Sequence, residues 1–160
     1  MGLGASNLNN FRSKVVDVTW AAPGGAVDLG EVFGAAVAVS IGSGRTTGTI
    51  NNAIIIDNDD KGKQLEFWFS DKQTAPAFGA ASATPTVSTA DALTIIGKID
   101  SGATFTDFVN SQVATPAAFS PIAFSTENGG LYVAAILRGA TTTFGTGNVV
   151  LRLHLTIEEG

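Results

Sequence analysis

The densest group of ionisable residues is the run Asp57-Asn58-Asp59-Asp60-Lys61-Gly62. Asp57, Asp59 and Gly62 stand at the first, third and sixth positions of a calcium loop, where carboxylates bind a hard cation and glycine allows a sharp turn. The match then fails. The fifth position is Lys61, and the twelfth is Trp68 where a bidentate Glu is required. The run also falls between two strand patterns and not between helices. Asp57 and Asp59 are therefore weak metal candidates whose expected role is a solvated turn, and no metal or other cofactor is expected.

Nucleophilic catalysis needs a base beside a nucleophile, oriented by a third group. His154 is the single histidine. It alternates with Arg152 and Thr156 on the polar side of a strand pattern, and no Gly-x-Ser-x-Gly elbow supplies a serine. A surface or interface histidine is expected. Paired carboxylates could hydrolyse a glycoside, but Asp57, Asp59, Asp60 and Glu66 form the one local acidic cluster, with Asp100 and Asp107 isolated. Gly42, Gly44 and Gly48 match neither a dinucleotide fingerprint nor a P-loop. No catalytic residue is assigned, and an enzyme is not expected. Trp20, Trp68 and Tyr132 could stack on sugar rings, although aromatics on strands are more often core.

The elements that must carry these residues are strands. Val149, Leu151, Leu153, Leu155 and Ile157 alternate with Arg152, His154, Thr156 and Glu158, the period of a half-buried strand. Val16, Val18 and Trp20 alternate with Asp17 and Thr19. Leu65, Phe67 and Phe69 oppose Gln64, Glu66 and Trp68, so that Trp68 on the nominally polar side predicts a strand covered on both faces. Further strands are expected at 35–41, 47–56, 96–100, 104–109, 118–125 and 130–138. Ile54-Ile55-Ile56, the acidic turn and 65–69 together read as a β-hairpin. Ser88 or Thr89 predicts an N-cap, with Ala90, Leu93 and Ile96 at helical spacing before Gly97, a helix of about two turns. Residues 74–85, rich in Ala, Ser, Thr and Pro, read as a surface loop. Many short strands divided by Gly-, Pro- and Asn-rich turns predict an all-β fold, a two-sheet antiparallel sandwich with one short helix. Residues 1–12 lack periodicity and read as an extended N-terminal arm, leaving 13–160 as the sandwich domain.

The chain has 160 residues, 44% apolar and 14% charged, which suits one domain with a sizeable core. Its surface must then be largely small and neutral, a composition suited to packing against other protein. A net charge of −5 argues against binding to nucleic acid. No apolar run approaches the roughly 20 residues of a membrane span, and the polar start predicts no signal peptide and synthesis in the cytoplasm. Zero cysteines exclude disulfides and thiolate metal sites.

The order of these segments resembles a family of small tailed-bacteriophage structural proteins, the head decoration or cement proteins. The likeness is carried by Asp28-Leu29-Gly30-Glu31-Val32-Phe33-Gly34, by 48–56 leading to Leu65-Glu66-Phe67-Trp68-Phe69-Ser70-Asp71, and by Phe78. It continues through Thr89-Ala90-Asp91-Ala92-Leu93 to Ile96-Gly97-Lys98-Ile99, then Gly130-Leu131-Tyr132-Val133-Ala134, Arg138-Gly139 and the closing strand 150–158. The resemblance spans most of 13–158 and brings no active-site residues. It implies a jelly-roll-like sandwich on the outside of a phage head, a virion location, the major capsid protein as partner, and copies of itself grouped as a homotrimer. A carbohydrate- or receptor-binding module of a phage tail or fibre, using Trp20, Trp68 or Tyr132 with Asp57 and Asp59 nearby, is the alternative.

Overall fold

The computed structural model describes residues 10–72, 74–116, 118–145 and 148–159; most of the expected arm falls on residues 1–9, outside the described residues. In chain order the strands are β1 (Asn10–Thr19), β2 (Ala26–Val27), β3 (Val37–Ala38), β4 (Thr46–Asp57), β5 (Leu65–Ser70), β6 (Ile95–Asp100), β7 (Thr106–Asp107), β8 (Gln112–Ala114), β9 (Ile122–Thr126), β10 (Tyr132–Leu137), β11 (Thr142–Thr143) and β12 (Val149–Glu159). The one helix among the described residues, α1 (Thr89–Ala92), precedes β6. The first strand thus begins at Asn10, inside the span read as arm.

All strand pairings are antiparallel. The large sheet runs β1-β12-β4-β8-β7, with β9 also paired to β4, and the small sheet runs β3-β10-β5-β6. A two-stranded ribbon, β2 with β11, lies apart from both. The pairs β1·β12, β3·β10, β4·β9 and β5·β6 join strands taken progressively inward from the two ends of the chain. That is one long hairpin wound into two facing sheets, the winding of a jelly roll. The fold is an all-β sandwich, as the alternation predicts.

Side-chain alternation builds the core. Val16, Val18, Ile50, Ala53, Ile55, Leu151, Leu153, Leu155 and Ile157 point inward from the large sheet to meet Leu65, Phe67, Phe69, Ile99, Val133, Ala135 and Leu137 from the small one. Trp20 joins this core, tilted against Phe67 with ring centroids 5.6 Å apart. In β4 the phase of burial changes between Ile50 and Ala53, because Asn51 and Asn52 both face outward. The register to β12 shifts at this point, between His154 and Leu155, so one strand carries an extra residue and forms a bulge. The bulge's polar groups find partners. Asn51 Nδ2 donates to Thr156 Oγ1 at 2.7 Å, and Asn52 Oδ1 accepts from the Ala53 N–H at 2.9 Å.

β5 is covered on both faces, as Trp68 indicated. A second apolar cluster of Val32, Phe78, Ala134 and Ile136, with Trp68, Val87 and Ile95 packed against it, lies outside the main core. The 74–87 segment supplies Phe78 and Val87 to this cover.

Two expectations are corrected. β4 and β5 do not form a hairpin: β4 pairs with β12, β8 and β9, while β5 lies between β10 and β6 in the other sheet. A strand apolar on both faces belongs in the middle of a covered sheet, and β10, itself buried along Val133–Leu137, pairs with β5 over its whole length. The helix is also a single turn rather than two. Ser88 does cap it, accepting the Asp91 N–H at 3.1 Å and donating to Asp91 Oδ2 at 2.9 Å. Leu93, however, is 84% exposed, and Ile96 belongs to β6, where a β-branched pair favours the sheet. Residues 112–114 and the β2–β11 ribbon are strands that alternation did not predict, being too short to show a period.

Candidate interaction surfaces

The acidic turn is organised around its own backbone. Asp57 is buried, and its carboxylate accepts N–H groups from Asp59 at 2.9 Å, Lys61 at 2.9 Å and Gly62 at 2.8 Å. Asp59 reaches the other way, taking the Gly145 N–H and Asn148 Nδ2. Asp57 is thus spent on N–H groups of its own turn, the usual use of Asp in such loops, while Asp59 ties the turn to the segment before β12. Among the described residues no three His, Cys, Asp or Glu side chains converge as a metal site.

His154 sits on the outer face of the large sheet, half-buried, between Val15 of β1 and Asn52 of β4. Its Nε2 is buried and has no hydrogen-bond partner among the described residues. On the same face Arg152 grips Asp17 through Nε and a terminal nitrogen, both at 2.8 Å. The hydrogen bonds from Arg152 hold the Asp17 carboxyl below its usual range; burial opposes them, and the guanidinium charge adds to the lowering. The next row is apolar or neutral: Thr19, Val150, Ile56, Val113 and Thr106 stand side by side across five strands. β1 borders this face as a ten-residue edge strand, with Phe11 63% and Val15 56% exposed on it. A strand at a sheet edge with exposed apolar side chains is a template for pairing with other protein.

Trp20 does not share a surface with Trp68 and Tyr132, which stand on the outer face of the small sheet on the adjacent strands β5 and β10. Trp20 is a core residue, 4% exposed, edging a cleft of about 320 Å³ walled by Phe33 and the small residues Ala21, Gly34 and Ala35. Tyr132 is half-buried. Trp68 lies on the outer face of the small sheet beside an open groove of about 190 Å³, shared with Phe78, Val87, Ile95, Ile136 and Arg138. Lys98, directly opposite on β6, carries its Nζ 5.2 Å from the Trp68 ring centre, a cation–π distance.

Next to this groove is an ion-pair cluster that sequence reasoning missed. Glu66 is 5% exposed, and its two oxygens meet Lys98 Nζ at 3.2 Å and Arg138 Nε at 2.9 Å. Burial pushes the Glu66 carboxyl up, but the hydrogen bonds from Arg138 and Lys98, with their charges, outweigh it and the net shift is downward. Part of the signal existed, since all three residues fall within segments expected as strands. It became readable only once β5 was known to sit between β6 and β10.

A further missed feature is the tip joining β7 to β8. Phe108 is 58% and Val109 88% exposed there, and Val109 has φ 66°. A β-branched residue in the left-handed region is a true outlier.

No family model matches this sequence, and no curated protein matches it. Among the described residues, no helix is long and apolar enough to cross a membrane.

Proposed function

We propose that this chain is a structural protein of a phage particle, a capsid decoration protein that binds the outside of the head and stabilises the shell through protein–protein contacts. Its partners are the major capsid protein and copies of itself. The observation that supports this reading best is the position of β1 at the edge of the large sheet, with Phe11 and Val15 exposed on it and a sheet face of mostly neutral residues beside it. Among the described residues, Asp17 and Arg152 form an ion pair on that face and match each other's charge. An assembly of many identical copies multiplies weak, broad contacts of this kind.

The tail or fibre reading has less to draw on, because Trp20 is in the core and the acidic turn leaves β4 in one sheet while Trp68 stands in the other.

The test is addition of purified protein to phage heads lacking their decoration. Saturable binding that raises the melting temperature of the shell is expected, and Val15→Lys is expected to weaken it while leaving the free domain folded. Absence of binding to heads, together with glycan binding abolished by Trp68→Ala, would replace this reading with the alternative.

A further inference from the structure

Asn128 is the one asparagine of the chain that is followed by glycine. It lies exposed in the loop between β9 and β10. The carbonyl carbon of an asparagine side chain is a weak electrophile, and the backbone nitrogen of the next residue can close a five-membered ring on it. Two things oppose that closure: a side chain on the next residue, which crowds the nitrogen, and a hydrogen bond that holds its N–H. Gly129 removes the first. The second is missing too, since among the described residues neither the Gly129 N–H nor the Asn128 side chain has a hydrogen-bond partner. Asparagines elsewhere are guarded. Asn51 and Asn148 donate their Nδ2 to Thr156 Oγ1 and Asp59 Oδ1, and Asn52 Oδ1 accepts the Ala53 N–H. The Asp59 N–H that follows Asn58 is held by Asp57 Oδ1, and Asn110 precedes the side chain of Ser111.

The same glycine is where this loop packs closest on its neighbour. Gly129 has φ 71°, and a Cβ on it would run into the Gly42 carbonyl oxygen, in the loop between β3 and β4. Its own carbonyl accepts the N–H of buried Leu131 at 3.0 Å, and the Leu131 carbonyl accepts the Val39 N–H at 2.8 Å. The backbone at 128–129 thus fixes how the chain enters β10, and any change in its length is felt at Gly42.

We propose that Asn128 is a site of spontaneous modification in the folded protein, ending largely as isoaspartate, and that the change unseats the loop from Gly42. The Gly129 nitrogen bonds to Asn128 Cγ as the Cγ–Nδ2 bond breaks, and the Gly129 proton leaves with Nδ2 as ammonia. Solvent water then opens the cyclic imide. Attack at Cγ gives ordinary aspartate. Attack at the backbone carbonyl frees the α-carboxylate and leaves the main chain running through Cβ and Cγ, longer by a methylene group. Either product adds a negative charge beside Glu127. The conversion needs no partner, so it holds whatever the chain binds.

The experiment stores the full chain, folded, at neutral to mildly alkaline pH and follows every asparagine by peptide mapping with an isoaspartate-specific assay, beside Asn128→Gln. The wild-type peptide carrying Asn128 is expected to lose its amide and gain isoaspartate ahead of every other asparagine peptide, while the same peptide of Asn128→Gln stays unchanged. Hydroxylamine, which cleaves the cyclic imide, is expected to cut the folded chain between Asn128 and Gly129. Stored wild type is expected to show a lower denaturation midpoint than fresh wild type, and stored Asn128→Gln no such loss. Conversion at Asn128 no faster than at the other asparagines, or seen only after the chain is unfolded, overturns the site. A midpoint unchanged in fully converted wild type overturns the loss of the Gly42 contact. If Asn128→Gln fails to fold, Asn128→Ser serves as the unconvertible control.

Discussion

Glu66 shows how a single residue can be both a liability and a lock. A buried carboxylate is costly unless it is paired and hydrogen-bonded, and here Lys98 and Arg138 take one oxygen each. Glu66→Gln keeps the shape but leaves two cations beside a neutral amide, and a loss of about 1–3 kcal/mol in urea unfolding at neutral pH is expected. The pH dependence has a definite sign. The folded carboxyl titrates below its ordinary value of 4.5, so its contribution is complete above that value and is lost as pH falls through the lower folded one. Asp17 and Asp91 are shifted the same way, Asp17 by its bonds to Arg152 and Asp91 first by its bond from Lys72 and then by that from Ser88. Wild type is therefore expected to lose stability from roughly pH 5 downward. In the same melts, Glu66→Gln should show a shallower acid slope. Asp57 illustrates what was legible at this scale. Its place in a turn was readable from the run of Asp, Asn and Gly, but the three N–H groups that occupy it were not, because they depend on how the loop closes.

Among the elements, β4 shows what alternation can and cannot reveal. Its long apolar run marked it as a strand, and the phase change across Asn51-Asn52 was present in the residues as a bulge. What it pairs with was not. Gly48 lies where β4 passes closest to its neighbours: a Cβ there would come 2.4 Å from the Thr156 carbonyl oxygen and 2.7 Å from Phe124 Cζ. The first contact is backbone, which cannot swing away. Gly48→Ala is thus expected to push β4 off β12 and β9 and cost about 3 kcal/mol, at the severe end for one methyl group, as read from the denaturation midpoint. The false hairpin between β4 and β5 has the same origin. A strand, an acidic turn and another strand are the local pattern of a hairpin, and also of a chain crossing from one sheet to the other. Nothing within fifteen or so residues distinguishes them; the demand of β5 for cover on both faces does.

The whole molecule is a hairpin wound on itself, so almost every strand contact is between distant parts of the chain. β12 lies between β1 and β4, and Leu153 points from its middle into the main core with no exposure. Leu153→Ala is expected to cost about 3 kcal/mol, including the cavity left behind, which for a domain of this size lowers the melting temperature by about 6–12 °C. Both sheets share one apolar cluster. Loss of Leu153 should therefore shift tryptophan fluorescence, which reports Trp20 and Trp68, and the far-ultraviolet signal together. Separated transitions would show instead that the sheets melt independently.

The amino-acid sequence by itself determined that this protein is all-β, where its long strands lie, that β5 is covered twice, and that Ser88 or Thr89 begins a helix. These follow from period-two burial and local hydrogen-bonding chemistry, which act over a few residues. Tertiary structure alone decided the strand order, the crossing of the chain between sheets, the Glu66 cluster, and the separation of Trp20 from Trp68. Those depend on which distant strands become neighbours, as when Asn10 comes to face Glu159. Many pairings satisfy the same alternation, and only packing both faces of β5 and β10 at once selects among them.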